Sequence, residues 1–444
     1  MYNILYIYLR RPFMFFSQKE IGNNITLNLF KTDKFKSNYV SINFIQPLAS
    51  ETAAYFALLS RVLKRGSKNY PTQKDISKRL EELYASDIAI KVFKCGDLQV
   101  VNFSADILDN AYAVDNFDIT ASTLELLTDI ILNPLLDEKT GLFLYDYVSS
   151  EKEKLIDSIK SLFNNKNKYC ITRCIQLMCA NEVYGISDKG TIEDIQNALP
   201  EKLLEAYHKM ISNSEIQIFF VGNFEMNDIE KYAVPFKAKS SEESVLLPKT
   251  QIIRKAGFVK TYTDDINAVQ GKLAMGFRTS TVFTDEDYTA FPLFLEVFGG
   301  SPTSKLFMNV REKMSLCYYC TALPESSKGL MLVTAGIEND NKTTAEREIL
   351  AQLEDMKKGN ISEDEMNCAK ASLKNSYLTI YDSPRSIESW YFNRVLHGIS
   401  ISPADFFKQV ERLDVNAVAD IAKKITLDTI YFMNGIGNGG DDDE

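Results

Sequence analysis

The chain is written twice, and that duplication limits its fold more than any other feature. The run FSADI at 103–107 stands against VTAGI at 333–337, and VSINF at 40–44 against LAMGF at 273–277. The offsets are 230 and 233 residues, so the two copies have drifted little. In the first copy an alternating strand begins at Val40, and a helix follows with Tyr55, Leu58, Leu59, Val62 and Leu63 at helical spacing. Thr72 opens a second helix, and a hairpin comes next, IAIKVF and LQVVNFSADI across KCGD, before a long helix over about 122–131. The second copy answers with KLAMGF, helices over 288–298 and 305–314, the hairpin SLCYYCTA and LMLVTAGI across PESSKG, and a long helix over 344–356. Two repeats of one mixed unit predict an α+β fold.

Each copy closes with further helices and a last strand. These are 150–163, 169–178, 201–210 and EIQIFFVGN in the first, and 362–377, 386–396, 415–424 and DTIYFMNG in the second. Ser362 and Glu365 have the spacing of a capping box. The expectation is two tandem homologous domains, each a mostly antiparallel sheet with helices packed on one face. The boundaries read as an N-terminal extension over 1–24, a first half over 25–235, a polar, proline-bearing linker over 236–252, a second half over 253–436 and an acidic disordered tail over 437–444. The start, with Arg10 and Arg11 interrupting its apolar residues, makes a poor signal peptide, and Met14 is a plausible alternative start.

The net charge of −10 and the lack of a basic stripe argue against nucleic acid or an anionic membrane as partner. No run approaches the roughly 20 apolar residues of a membrane span. Seven cysteines without a secreted framework spacing favour a cytoplasmic location. Cys317 and Cys320 form a CxxC, but on a regular strand they point to opposite faces and do not converge. Cys170 and Cys174 share a helix face and read as small buried residues. The two histidines, His208 and His397, stand apart and read as structural.

Two stretches carry a resemblance. The run FGGSPTSKLFMNVREKMSLCYY, at 298–319, has paired glycines, a Ser-x-Leu-Phe helix start, Arg-Glu-Lys, and a tyrosine seven after the arginine. The run FALLSRVLKRGSKNYPT, at 56–72, has the frame of a zinc helix and its following turn. With the duplicated halves, these make the chain resemble the pitrilysin/insulinase (inverzincin) metallopeptidase family over about residues 25–435. Active members carry His-x-x-Glu-His on that helix, two histidines binding zinc and the glutamate activating water. Here the matching positions are Ala57, Ser60 and Arg61. A methyl group cannot ligate, a serine is a poor base, and a guanidinium repels a cation. The family's third ligand falls in EKEKLIDSIKS, where Asp157 or Ser158 is the available side chain.

The resemblance implies that Arg311 and Tyr318 keep the other half of the chemistry. In the family, an arginine and tyrosine at this spacing hold the substrate backbone and the developing oxyanion, in some members from one subunit to the zinc of another. The chain therefore resembles the subunit lacking the zinc motif in bacterial heterodimers, a type associated with elongation factor P modification. This implies inactivity alone, no cofactor in this chain, zinc in a homologous HxxEH-bearing partner, and unfolded peptide as substrate. The alternative is a peptide-binding or scaffolding protein of the same fold with no role in catalysis. An arginine closing a helix against its dipole and a tyrosine in a strand are, by themselves, ordinary structural features.

Overall fold

The computed structural model describes residues 14–437; the first thirteen residues of the extension and all of the acidic tail except Gly437 lie outside them. The chain forms two compact units. The first comprises residues up to Ile159, Ile186–Lys249 and Ser383–Trp390; the second comprises Lys160–Gly185, Thr250–Asp382 and the residues from Tyr391. Each unit thus includes a segment from the opposite half of the sequence. No helix among the described residues is long and apolar enough to cross a membrane.

The first unit is built on a six-stranded sheet in the order β1-β2-β6-β3-β5-β4. Its strands are β1 (Phe15–Gly22), β2 (Ile25–Lys31), β3 (Ser37–Pro47), β4 (Asp87–Cys95), β5 (Leu98–Leu108) and β6 (Glu215–Gly222). All pairings are antiparallel except β2 with β6. Strand β1, within the expected extension, is the sheet's edge. One face carries Val40, Ile42, Phe44, Val101 and Phe103, which form a core with α1 (Ser50–Val62) and α3 (Ile119–Leu132). Between them, α2 (Gln73–Glu82) starts at the capping box of Thr72 and Asp75.

The other face of this sheet is polar yet buried. Asn43 donates to Ser41 Oγ at 3.0 Å, Asn102 donates to Asn43 Oδ1 at 2.7 Å, and Ser41 donates to Glu388 Oε1 at 2.9 Å. Glu388 comes from the segment Ser383–Trp390, which Arg385 also anchors through Asp106 at 3.1 Å and over the Tyr39 ring. The alternation in VSINFIQ therefore marks two buried faces, one apolar and one hydrogen-bonded.

Burial pushes the Glu388 carboxyl up to about 7, with Ser41, Asn43, Arg385 and Lys91 only partly opposing it. The folded chain keeps a proton that the unfolded chain releases near the ordinary value of 4.5. Stability must then fall as pH rises between these values, by about 1.4 kcal/mol per unit and about 3 kcal/mol in all. Glu388→Gln is expected to match the parent near pH 5 and exceed it at pH 8, read as urea midpoints. Parallel pH profiles for parent and variant would refute this.

The second unit repeats the topology with five strands in the order β7-β11-β8-β10-β9. These are β7 (Lys260–Ile266), β8 (Gly271–Arg278), β9 (Cys317–Glu325), β10 (Leu330–Ile337) and β11 (Thr426–Gly435). Only β11 with β7 is parallel. Strand β11 takes the place of β6, and the hairpin β9–β10 that of β4–β5, so the duplication read from FSADI and VTAGI is structural. Following α4 (Tyr145–Lys160) in the chain, α5 (Lys166–Met178) lies on one face of this sheet. Its Cys170 and Cys174 are buried, and their thiols face the Lys272 and Ala274 carbonyls at 3.5 and 3.7 Å. Gly276 permits this approach: a Cβ there would sit 2.7 Å from Met178 Sδ.

Candidate functional site

Arg311 and Tyr318 lie at one helix-to-strand junction of the second unit. The helix Ala290–Leu295 opens into a π-helical turn at Glu296–Gly300, and Leu306–Lys313, which carries Arg311, is π-helical throughout. Such widened turns occur often at functional sites because they swing a side chain off the regular α-helical face. Gly299 is required here, since a Cβ would stand 2.8 Å from Leu306 Cδ1 and 2.9 Å from Ala322 Cβ. Thr321 closes the contact by donating to the Gly299 carbonyl at 3.0 Å.

The helix of Arg311 is held at both ends. Lys305 pairs with Glu365 at 2.9 Å, and Asn309 donates to Gln352 Oε1 at 2.8 Å. Its last turn closes with Met314 donating to the Asn309 carbonyl and Leu316 to that of Val310, both at 3.1 Å. Ser315 takes up a left-handed conformation, φ 52°, to reverse the chain. Two residues later β9 begins, and its first pairings skip a position: Tyr319 faces Gly336, while Cys317 faces Ile337. Tyr318 is therefore the extra residue of a β-bulge, a device that re-aims a side chain. It is 59% exposed.

The guanidinium of Arg311 stacks 4.5 Å from the centre of the Phe307 ring and pairs with Glu312 at 3.2 Å. Its side chain remains 38% exposed, with donors free to meet a carbonyl. Arg311 and Tyr318 line the same cleft of about 410 Å³ with Gly299, Gly300, Phe307 and Thr321. The flanking Tyr319 is occupied elsewhere, donating to Asn167 Oδ1 at 2.8 Å. Strand β9 ends its sheet, so one row of its backbone groups has no partner strand.

The bulge corrects one expectation. Because Tyr318 is the extra residue, Cys317 and Cys320 share the buried face of β9, opposite Ile337 and Ala335. Spacing on a regular strand could not show this.

Ala57, Ser60 and Arg61, the positions expected to match the zinc motif, belong to the first unit. Ala57 is buried in the core, and the Ser60 hydroxyl donates back to the Ala57 carbonyl at 2.7 Å. Arg61 turns to Glu151 on α4, Nε to Oε2 at 3.1 Å. The buried Glu151 also meets Arg65 at 3.5 Å and Lys154 at 2.8 Å. Three cations around one carboxylate leave a field that opposes a further divalent cation. Zinc does not fit this donor set: one carboxylate, already ion-paired, takes the place of three ligands and a water. Among the described residues no group of three or more His, Cys, Asp or Glu could hold a metal.

Glu151, rather than Asp157 or Ser158, is the acid of this segment that pairs with Arg61 on α1. The signal was the i,i+4 pair Arg61 and Arg65, two cations at the end of α1 in need of a buried anion. Neither histidine belongs to a group of three or more potential metal ligands among the described residues. The His397 ring lies 5.4 Å from that of Phe283, and burial pushes its pKa down; His208 lies against Tyr207.

The family profile described as "Peptidase M16 inactive domain" matches residues 198–373. The "Probable inactive metalloprotease YmfF" of Bacillus subtilis (strain 168) is 32% identical over 417 residues, covering 94% of this chain and 97% of that protein. The chain belongs to the M16 peptidase family. A second B. subtilis relative, "Uncharacterized zinc protease YmxG", is 22% identical over 68% of this chain and 72% of its own length. Among solved structures, a conserved protein from Enterococcus faecalis V583 superposes with a TM-score of 0.86 at 27% identity, covering 96% of this chain and 100% of that one. The resemblance read from the paired glycines and the degenerate zinc helix is thus correct at the level of the M16 family.

Proposed function

We propose that this chain is the non-catalytic subunit of a two-chain zinc peptidase, inactive alone, whose Arg311 and Tyr318 act on peptide held at the zinc of a homologous subunit bearing His-x-x-Glu-His. One observation carries the reading. Arg311 and Tyr318 share an open cleft, held by π-helical turns and a bulge, while Arg61 and Glu151 close the former metal position with an ion pair. The tyrosine hydroxyl would donate to the oxygen that gains charge as the scissile carbonyl becomes tetrahedral. Arg311 would hold a neighbouring carbonyl and fix the register. An extended peptide could lie along the open edge of β9 by main-chain hydrogen bonds. The relatives support this division, since one organism carries both a probable inactive metalloprotease and an uncharacterized zinc protease similar to this chain.

The test is reconstitution. The purified chain should leave a fluorogenic unstructured peptide intact, and so should its zinc-motif homologue from the same genome when assayed alone. The mixture should cleave it in a zinc-dependent manner. Cleavage by the single chain, or a mixture no faster than the homologue alone, would overturn the proposal. The second outcome would favour a peptide-binding scaffold.

A further inference from the structure

The geometry points to an interface between two copies of this chain: strand β7 pairs antiparallel with the β7 of a second copy, about a two-fold axis at Tyr262, and joins the two sheets edge to edge. The inference does not depend on the peptidase reading, and β7 is the opposite edge of its sheet from β9.

The repeat shows where a strand is missing. Strand β7 runs parallel to β11 as β2 runs parallel to β6, so β7 holds in the second unit the place of β2 in the first. In the first unit β1 lies antiparallel along the outer edge of β2, from Phe15 opposite Lys31 to Gly22 opposite Ile25. In the second unit no strand among the described residues takes that place, and β7 ends the sheet. Every residue from Thr261 to Asp265 is exposed. Just ahead of the strand, Phe258 and Val259 are 73% and 48% exposed. An open edge with apolar surface beside it is a template for a further strand.

The sequence of β7, KTYTDDI, selects the occupant. Residues directly opposite in an antiparallel pair share a face, so two copies related by a two-fold axis must centre on a residue and not between residues. Centring on Lys260 or Asp264 sets like charges opposite each other. Centring on Thr261 or Thr263 leaves Lys260 facing Tyr262 or Ile266. Centred on Tyr262, Lys260 of each copy faces Asp264 of the other, Thr261 faces Thr263, and the two tyrosines face each other. Opposite charges, threonine pairs and aromatic pairs are all favourable across strands. The carboxylates are held in place beforehand: Tyr431 donates to Asp264 Oδ2 and Asn434 to Asp265 Oδ1, both at 2.8 Å. A strand of seven residues makes a small contact, so the dimer is reversible and not obligate.

Sedimentation velocity of the purified full chain, from about 1 to 300 µM, tests this. The parent should pass from monomer to dimer within that range. K260D sets aspartate against aspartate and D264K sets lysine against lysine, so each variant alone should dissociate at least about tenfold more readily. Mixed in equal amounts, the two should form a heterodimer, because every charge again faces its opposite. The double variant K260D/D264K should recover self-association for the same reason. The inference is overturned if the parent stays monomeric throughout, or if both single variants dimerise as tightly as the parent. It is also overturned if single variants with the parent's circular dichroism are weakened but neither the mixture nor the double variant recovers.

Discussion

Glu182→Ala is expected to destabilise the second unit by about 3–5 kcal/mol, the range for breaking a buried ion pair by deleting one partner. Glu182 faces two buried cations. Arg278 meets it through two nitrogens, at 2.6 and 3.2 Å, and Lys328 Nζ lies 3.1 Å away. The Arg278 and Lys328 side chains are 2% and 0% exposed, and Arg278 also holds Asp428 at 2.9 Å. Without Glu182, Arg278 keeps one carboxylate and Lys328 loses this one, in a site where water cannot replace it. Burial alone would raise the Glu182 carboxyl, but Arg278 and Lys328 outweigh it and hold it below its usual range. The unfolded chain then binds the proton more readily than the folded one. The contribution is full above the ordinary carboxylate range and is lost as pH falls through the lowered value. Urea unfolding at pH 7 measures the cost, and Glu182→Gln separates charge from size. A loss under about 1 kcal/mol for both variants would show that the cluster relaxes or hydrates, contrary to this account.

Tyr318→Phe should lower kcat of the reconstituted peptidase by about 10²–10³, or about 2.7–4 kcal/mol, with little change in KM. The substitution removes a single oxygen from an exposed ring, so no fold energy is at stake. A loss confined to kcat identifies a donor used in the transition state. Arg311→Ala should raise KM as well, because a guanidinium on a neighbouring carbonyl binds ground and transition states alike. Reconstituted kinetics unchanged by both substitutions would remove these residues from catalysis and leave a binding role for the chain.

Much of the fold was legible because it rests on long-range repetition. The register FSADI to VTAGI placed β5 and β10, and the paired glycines with Arg-Glu-Lys placed the Arg311 helix. Features that depend on tertiary contacts were not legible. Strand β7 is largely exposed, so KTYTDDI shows no apolar alternation. Strand β2, ITLNLFK, likewise falls outside the expected strands, although it lies inside the sheet between β1 and β6. A π-helical turn differs from an α-helical one by a single residue in register, and no propensity marks it. The bulge at Tyr318 is visible only once β9 is laid against β10. That is why Cys317 and Cys320 read as divergent and prove to share one buried face. Glu151 lies in the segment EKEKLIDSIKS, but which of its acids turns inward is set by how α4 lies on α1.

The exchange of segments has a consequence for biosynthesis. As the chain leaves the ribosome, the polar face of the first sheet can be made before its cover, Ser383–Trp390, has been translated. Ser41, Asn43 and Asn102 can meet water in that interval at no desolvation cost, whereas an apolar face would court aggregation. The helix with Cys170 and Cys174 likewise waits for a sheet whose strands are encoded some hundred residues later. Neither half of the gene, cut at the midpoint, encodes everything its own domain needs.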